Sequence, residues 1–396
     1  MKILLFLLFT IHLFANNGLN YINKLRKQAN MNLLSENSFL TQAAKSHSLY
    51  MQQNKVVSHY EDKNGIGFTG VTPADRAIYH NYKSRKIKEN ISYNQKDIYE
   101  SIDKLFAAIY HRFGFLSNDI DEIGIAKKDK YFTYDMGNSY FNKLCKGSSF
   151  NGYGKYIYSI CKDKKFKIKY DKYLKIKNIL KQNNPDIVIW PPKDSKGILP
   201  VFFNETPDPL PAYKVSGYPI SVEFNDFYYK KPPTLIKFRI FEKDKQLDSK
   251  IITYKNDVNH LLTKYQFVLF PTKRLKWDTK YKVEFYYRDA KDGNIYLIKW
   301  DFKTKKLPYK VYTITKNKVI KVNPNKKYGF YFVPINQNDV IKIVSFRTSR
   351  GLDLKYRYID QNTIELELLG SFNKGIIINL SNGRSLKVVL GVEETK

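Results

Sequence analysis

Apolar residues in the first third of the chain recur at helical spacing. Leu19, Ile22, Leu25 and Ala29 form one stripe, and Leu40, Ala43, Ala44, His47 and Met51 form a second. Thr72-Pro73-Ala74-Asp75 reads as a helix start, with an oxygen cap, a proline of fixed φ and an acid at the third position. Ile98, Ile102, Leu105, Phe106, Ile109 and Phe113 make a longer stripe, so residues 19–116 read as helical. The period then changes. Glu122–Ala126 and Tyr131–Tyr134 read as two strands joined by the turn KKDK. Helices followed by a hairpin predict a layered α+β domain.

Beyond Cys145 the pattern changes again. Residues 145–185 are rich in lysine, and Lys165–Tyr170 alternates like a strand with one solvated face. Prolines then cluster at 191, 192, 200, 207, 209 and 211, marking a rigid connector or an irregular first strand. From Tyr218 onward nearly everything alternates with period two. The segments 220–224, 236–241, 265–270, 281–286 and 296–302 recur at the spacing of a β sandwich. About eight further short segments fill 309–391, enough for a second small sandwich. The divisions expected are a leader at 1–15, an α+β domain at 18–145, a lysine-rich extension or linker at 146–189, a β sandwich at 190–306, and a small β domain at 307–396.

The N-terminus sets the compartment. Met1-Lys2 precedes the apolar run Ile3–Phe9, which is too short to span a bilayer, and a small residue, Ala15, follows before Asn16-Asn17. This is the form of a signal peptide, so the mature protein is expected outside the cytoplasm, secreted or periplasmic. No later run is long and apolar enough to span a membrane. The chain has 2 cysteines, Cys145 and Cys161, which an oxidising compartment would allow to pair; the other reading is two unrelated thiols. Lys and Arg number 68 against 37 acids, a net charge of +31. The lysines are spread along the whole chain, and export removes most nucleic-acid roles. No nucleic-acid partner is therefore expected, and the charge points to attraction toward anionic surfaces.

Candidate chemistry lies in the helical region. Ser58-His59-Tyr60-Glu61 places a histidine where a helical pattern gives way to the polar loop DKNG. His47 sits on an apolar stripe, as a core or cleft-wall histidine would. His111 falls off the stripe that carries Ile109. Glu89 lies between Lys86-Ile87-Lys88 and Asn90-Ile91-Ser92. Taken with Leu19-Asn20, Arg26, Ala43–Met51, Pro73–Arg76, His111-Arg112 and Glu122–Ile125, residues 19–137 resemble the CAP (SCP-like) superfamily, in its bacterial secreted branch. Beyond residue 190, Phe270-Pro271, Leu275, Thr279–Tyr281 and Trp300–Thr304 resemble bacterial immunoglobulin-like modules.

The resemblance implies an α-β-α sandwich followed by two all-β, Ig-like modules. It also implies a cleft of two histidines and two acids. Carried over, His59 and His111 are the histidines and Glu89 the first acid, with His47 lining the cleft. The second acid is missing: its place falls near Ala107-Ala108, with Glu100 and Asp103 nearby, and Lys88 stands where the family has glycine. Two imidazoles and a carboxylate can bind a divalent metal such as zinc, which makes His59, Glu89 and His111 candidate metal ligands. The function expected is an exported binding protein with β modules as spacers or adhesion units. Its partner would be a ligand, a lipid, or an envelope or host surface component. The alternatives are a metal-dependent hydrolase of peptide or cell-wall material and a structural envelope protein with a vestigial cleft.

Overall fold

The computed structural model of the protein describes residues 17–392, and the leader expected at 1–15 lies outside the described residues. The first domain is an α-β-α sandwich. Its sheet has the order β1-β3-β4-β2, built from β1 (Ser35–Glu36), β2 (Lys88–Tyr93), β3 (Glu122–Lys128) and β4 (Tyr131–Gly137). On one face lie α2 (Ser38–Asn54) and α3 (Pro73–Tyr79). Asn37 caps α2 through its side chain, and Thr72 and Asp75 form a reciprocal capping box on α3. Gly124 lets α2 sit directly on the sheet, since a Cβ there would lie 2.0 Å from the Leu40 carbonyl carbon.

On the other face are α1 (residues 17–28), α4 (Ile98–Ala107) and α5 (Ile109–Phe115). Ile22, Ile102, Phe106 and Phe115 pack there against Ile123, Ile125 and Phe132. The stripe expected to continue from Ile98 to Phe113 is broken. Ala108 is extended (ψ 119°), so α4 ends and α5 begins with its first amides unpaired by the helix. The fully buried Arg26 of α1 secures the far end of α5, donating to the Phe115 carbonyl at 2.6 Å.

The lysine-rich stretch is an extension built onto this domain. After α6 (Ser139–Leu144), Cys145 and Cys161 form a disulfide that closes a loop carrying β5 (Tyr156–Ile157). Only Ile168–Lys169 of the expected strand pairs, as β6; Tyr170 opens α7 (Tyr170–Gln182). The reason is that Tyr173, Ile176 and Leu180 recur at helical spacing, and the first two pack on the Phe141–Ile160–Ile168 cluster. Past α7, Asn184 accepts from the Asn32 amide and donates to the Asn118 carbonyl, and Asn225 donates to the Lys181 carbonyl. This stretch is therefore braced at both ends.

The proline-rich region supplies β7 (Ile187–Trp190) and β8 (Ser195–Ile198) to a β sandwich. One sheet runs β12-β13-β9-β7 and the other β11-β10-β14-β15-β8. Their strands are β9 (Ile220–Phe224), β10 (Thr234–Glu242), β11 (Lys245–Gln246), β12 (Ser249–Thr253), β13 (Gln266–Pro271), β14 (Lys280–Arg288) and β15 (Ile295–Thr304). Residues 311–390 form the second sandwich, in two four-stranded sheets with a core of its own. Arg274 joins the two sandwiches: its buried guanidinium bonds Asp360 and stacks between Trp277 and Tyr331.

The first domain and the first sandwich share one apolar core. Phe106 stacks on Trp190 with centroids 4.7 Å apart. The Trp190 indole donates to the Tyr218 hydroxyl (2.8 Å), which donates to the Phe106 carbonyl (3.0 Å). Arg112, fully buried, lies over the Tyr218 ring and donates to Ser221. Truncating Trp190 to alanine should therefore cost about 3–5 kcal/mol, as for other large-to-small core changes. Denaturant unfolding followed by helical circular dichroism and by sandwich tryptophan fluorescence should shift together. An unchanged midpoint for the helical signal would mean that the two units do not share a core.

Candidate functional site

The site is built on a buried charge cluster. Glu89 on β2 stands opposite Asp135 on β4 across the antiparallel ladder. The Glu89 carboxylate accepts from the Arg76 guanidinium at 2.6 Å and from His59 Nδ1 at 2.9 Å. Arg76, fully buried on α3, also donates to the His59 carbonyl (3.1 Å). The loop carrying His59 is pinned on both sides. His47 Nε2 meets the Ser58 carbonyl at 2.8 Å and its Nδ1 meets Glu61 at 2.9 Å, while Glu61 also takes the Thr69 amide. In Ser58-His59-Tyr60-Glu61 the residues on either side of His59 thus anchor the loop, and the His59 side chain, 37% exposed, faces out.

Electrostatics sort the carboxylates. Burial alone would raise Glu89, but the His59 hydrogen bond and the His47 and Arg76 charges bring it to about 2, so it is ionised. Asp135 goes the other way. Burial, with the adjacent Glu89 charge, pushes it well above the aspartate range. The two neighbouring buried carboxylates are thus driven in opposite directions.

His111 lies in the first turn of α5, and its ring stacks near that of His59 with centroids 6.4 Å apart and planes 28° from parallel. Its partner comes from the first sandwich. Glu205, 8% exposed, accepts from the amides of Ile109 (2.5 Å) and Tyr110 (3.2 Å) and from His111 Nδ1 (2.8 Å). The break at Ala108 frees those amides, and a carboxylate there suits the positive end of α5. Each imidazole thus has Nδ1 held by a carboxylate, and among the described residues neither Nε2 meets a protein partner. Neutral rings held this way carry the proton on Nδ1 and offer Nε2 as an acceptor or ligand atom.

The structure brings His59, Glu89 and His111 together, with two differences from the sequence-based expectation. His47 does not reach the surface beside His59: it is fully buried behind Glu89, 3.9 Å away. Glu89 has no free oxygen to offer as a ligand, since Arg76 and His59 take both. Among the described residues, no group of three or more His, Cys, Asp or Glu side chains is arranged to hold a metal ion. The nearby acids are engaged elsewhere, Asp103 with the Tyr21 hydroxyl and Glu100 with the Lys96 amide. Glu205 escaped sequence reasoning because it lies 94 residues from His111. Its one local mark is being a lone acid between Val201-Phe202-Phe203 and the prolines.

Residues 19–142 match the CAP family, described as the cysteine-rich secretory protein family. An extracellular SCP-domain protein of Bacillus anthracis is similar at 21% identity and TM-score 0.30, over 32% of this chain and 41% of that one. The chain thus spans less than half the length of that relative. An outer surface protein of Borrelia burgdorferi is similar at 20% identity and TM-score 0.27, over 30% of this chain and 87% of that one. The fibronectin(III)-like modules of Clostridium thermocellum CbhA are similar at 11% identity and TM-score 0.17, over 53% of this chain and 98% of theirs. None of the curated proteins matches the chain.

The upward shift of Asp135 has a consequence for stability against pH. Its folded value is raised above its unfolded one, so the folded state is penalised at pH above the ordinary aspartate value of about 3.9, and relieved as pH falls through it. Asp135→Asn, neutral at every pH, should melt higher than the parent at pH 7, with the difference shrinking toward pH 4. A variant destabilised more at pH 7 than at pH 4 would show that Asp135 is buried as a charge.

Proposed function

We propose that the chain, whose residues 19–142 form a CAP domain, is an extracytoplasmic binding protein that uses the His59–His111 cleft. The observation carrying this is the pair of facing imidazoles, each fixed at Nδ1 by a buried carboxylate and each with a free Nε2. Fixing a ring's tautomer and orientation is what a ligand-binding histidine requires. The Cys145–Cys161 disulfide and the leader-like first 15 residues support a location outside the cytoplasm. In the described residues no helix is long and apolar enough to cross a membrane.

The donor set fits a divalent cation such as zinc through the two Nε2 atoms, with Glu89 and Glu205 orienting the rings rather than ligating. A cation held there would leave coordination positions for a ligand group. Glu89 and Glu205 hold the rings in place by their Nδ1 atoms. A metal-dependent hydrolase is the second reading, favoured by the same open positions. It lacks a further acid free to act as a base, because Glu89 and Glu205 are both engaged. Both cysteines lie in the disulfide, so neither is a nucleophile.

Zinc titration of the full chain by calorimetry tests the proposal, alongside assays for hydrolysis of peptide and cell-wall material. Binding should be present in the parent, fall by more than about tenfold in His59→Ala, as for loss of a coordinating group, and vanish in the His59→Ala, His111→Ala double variant. Turnover should be absent in all. A double variant that binds as the parent does would remove the cleft as the site, and hydrolysis that depends on His59 would establish the second reading.

A further inference from the structure

Beyond the histidine cleft, a second space lies between the first domain and the first sandwich, a cavity of ≈ 520 Å³. That is within the range of small-molecule sites, which favour domain interfaces. On one side are β2, the end of α5 and the turn after it; on the other are β9 and the turn leading into β13. We propose that this cavity binds a neutral oligosaccharide.

Three features of the lining carry the proposal. The first is charge. The chain has an excess of 31 positive charges, yet the lysines lining the cavity are matched. Lys88 pairs with Asp119 (3.4 Å) and Lys181 with Asp226 (2.5 Å). An anion site would leave cations uncommitted. Fixed ion pairs offer donors and acceptors side by side, which suits hydroxyls that both donate and accept. The second feature is the rings. Tyr110, Phe113 and Tyr265, all partly exposed, line the space. A pyranose has an apolar face of C–H groups that packs on an aromatic ring while its hydroxyls reach outward.

The third feature is the set of planar polar groups. Glu223 accepts from the Gln266 amide at 2.9 Å, and burial pushes its carboxyl up to about 7, so near neutrality it can donate as well as accept. Among the described residues the Asn118 side-chain amide has no partner, and it faces the cavity with both a donor and an acceptor. Glu89 lines this space too, and Asn90, also in the lining, donates to the His111 carbonyl. A sugar chain seated here would therefore end beside the histidine pair. The proposal does not depend on metal binding there.

The full chain can be titrated with maltotriose and with the N-acetylglucosamine trimer by calorimetry, with a sulfated trisaccharide as the anionic control. At least one neutral trisaccharide should bind. Tyr265→Ala and, separately, Asn118→Ala should each weaken that binding by about tenfold, as expected for losing a stacked ring or a hydrogen bond to the ligand. Asn118 is half-exposed and outside the core, so its variant keeps the test valid should Tyr265→Ala fold poorly. Absence of binding by both neutral sugars, equal binding by the Asn118 variant, or binding of the sulfated sugar alone would each overturn the proposal.

Discussion

The Glu205 carboxylate connects the sandwich to the chemistry of the first domain. Through its two oxygens it caps the unpaired amides at the start of α5 and holds His111 by Nδ1. Buried carboxylates are costly unless fully hydrogen-bonded, and Glu205 meets that condition with two amides and an imidazole. Without it, two amide groups and a ring nitrogen would lose their acceptor at the domain boundary. The helix break at Ala108, the position of His111 and the docking of the sandwich therefore depend on one another. The shared core of Phe106, Trp190, Tyr218 and Arg112 packs the two units together behind this contact.

The other histidine is held by a different device with the same result. His59 is fixed by Glu89, and Glu89 is fixed by Arg76, within a cluster that also contains His47, Glu61 and Asp135. Removing one partner from such a cluster strands a buried charge, so its members stand or fall together. The cluster also explains why a loop as polar as Ser58-His59-Tyr60-Glu61 is ordered: the Ser58 carbonyl and the Glu61 carboxylate are both bonded to His47.

Much of the fold was legible in the sequence because its signals are local. The stripes of α1 and α2, the Thr72–Asp75 capping box, the β3–β4 hairpin and the two β regions all follow from periodicity and turn chemistry. The break after α4 was not legible, because the apolar stripe runs on through Ile109 and the cause of the break lies elsewhere. Nor was α7, whose lysines hid the spacing of Tyr173, Ile176 and Leu180. Of the site, His59, Glu89 and His111 could be named from ordered motifs. The burial of His47 and the contact of Glu205 with His111 could not. Glu205 reaches His111 only once the sandwich has docked, and no local pattern records a contact of that kind.

The central claim is that the cleft is completed by a residue of the neighbouring module. It is tested most directly by long-range ¹H–¹⁵N NMR of the imidazole rings in the full chain and in Glu205→Gln. The parent should show a slowly exchanging proton on His111 Nδ1, where Glu205 accepts it. In the variant that proton should exchange rapidly and the tautomer mix should shift, while the His59 signals stay as they are. An unchanged His111 spectrum in Glu205→Gln would contradict the account.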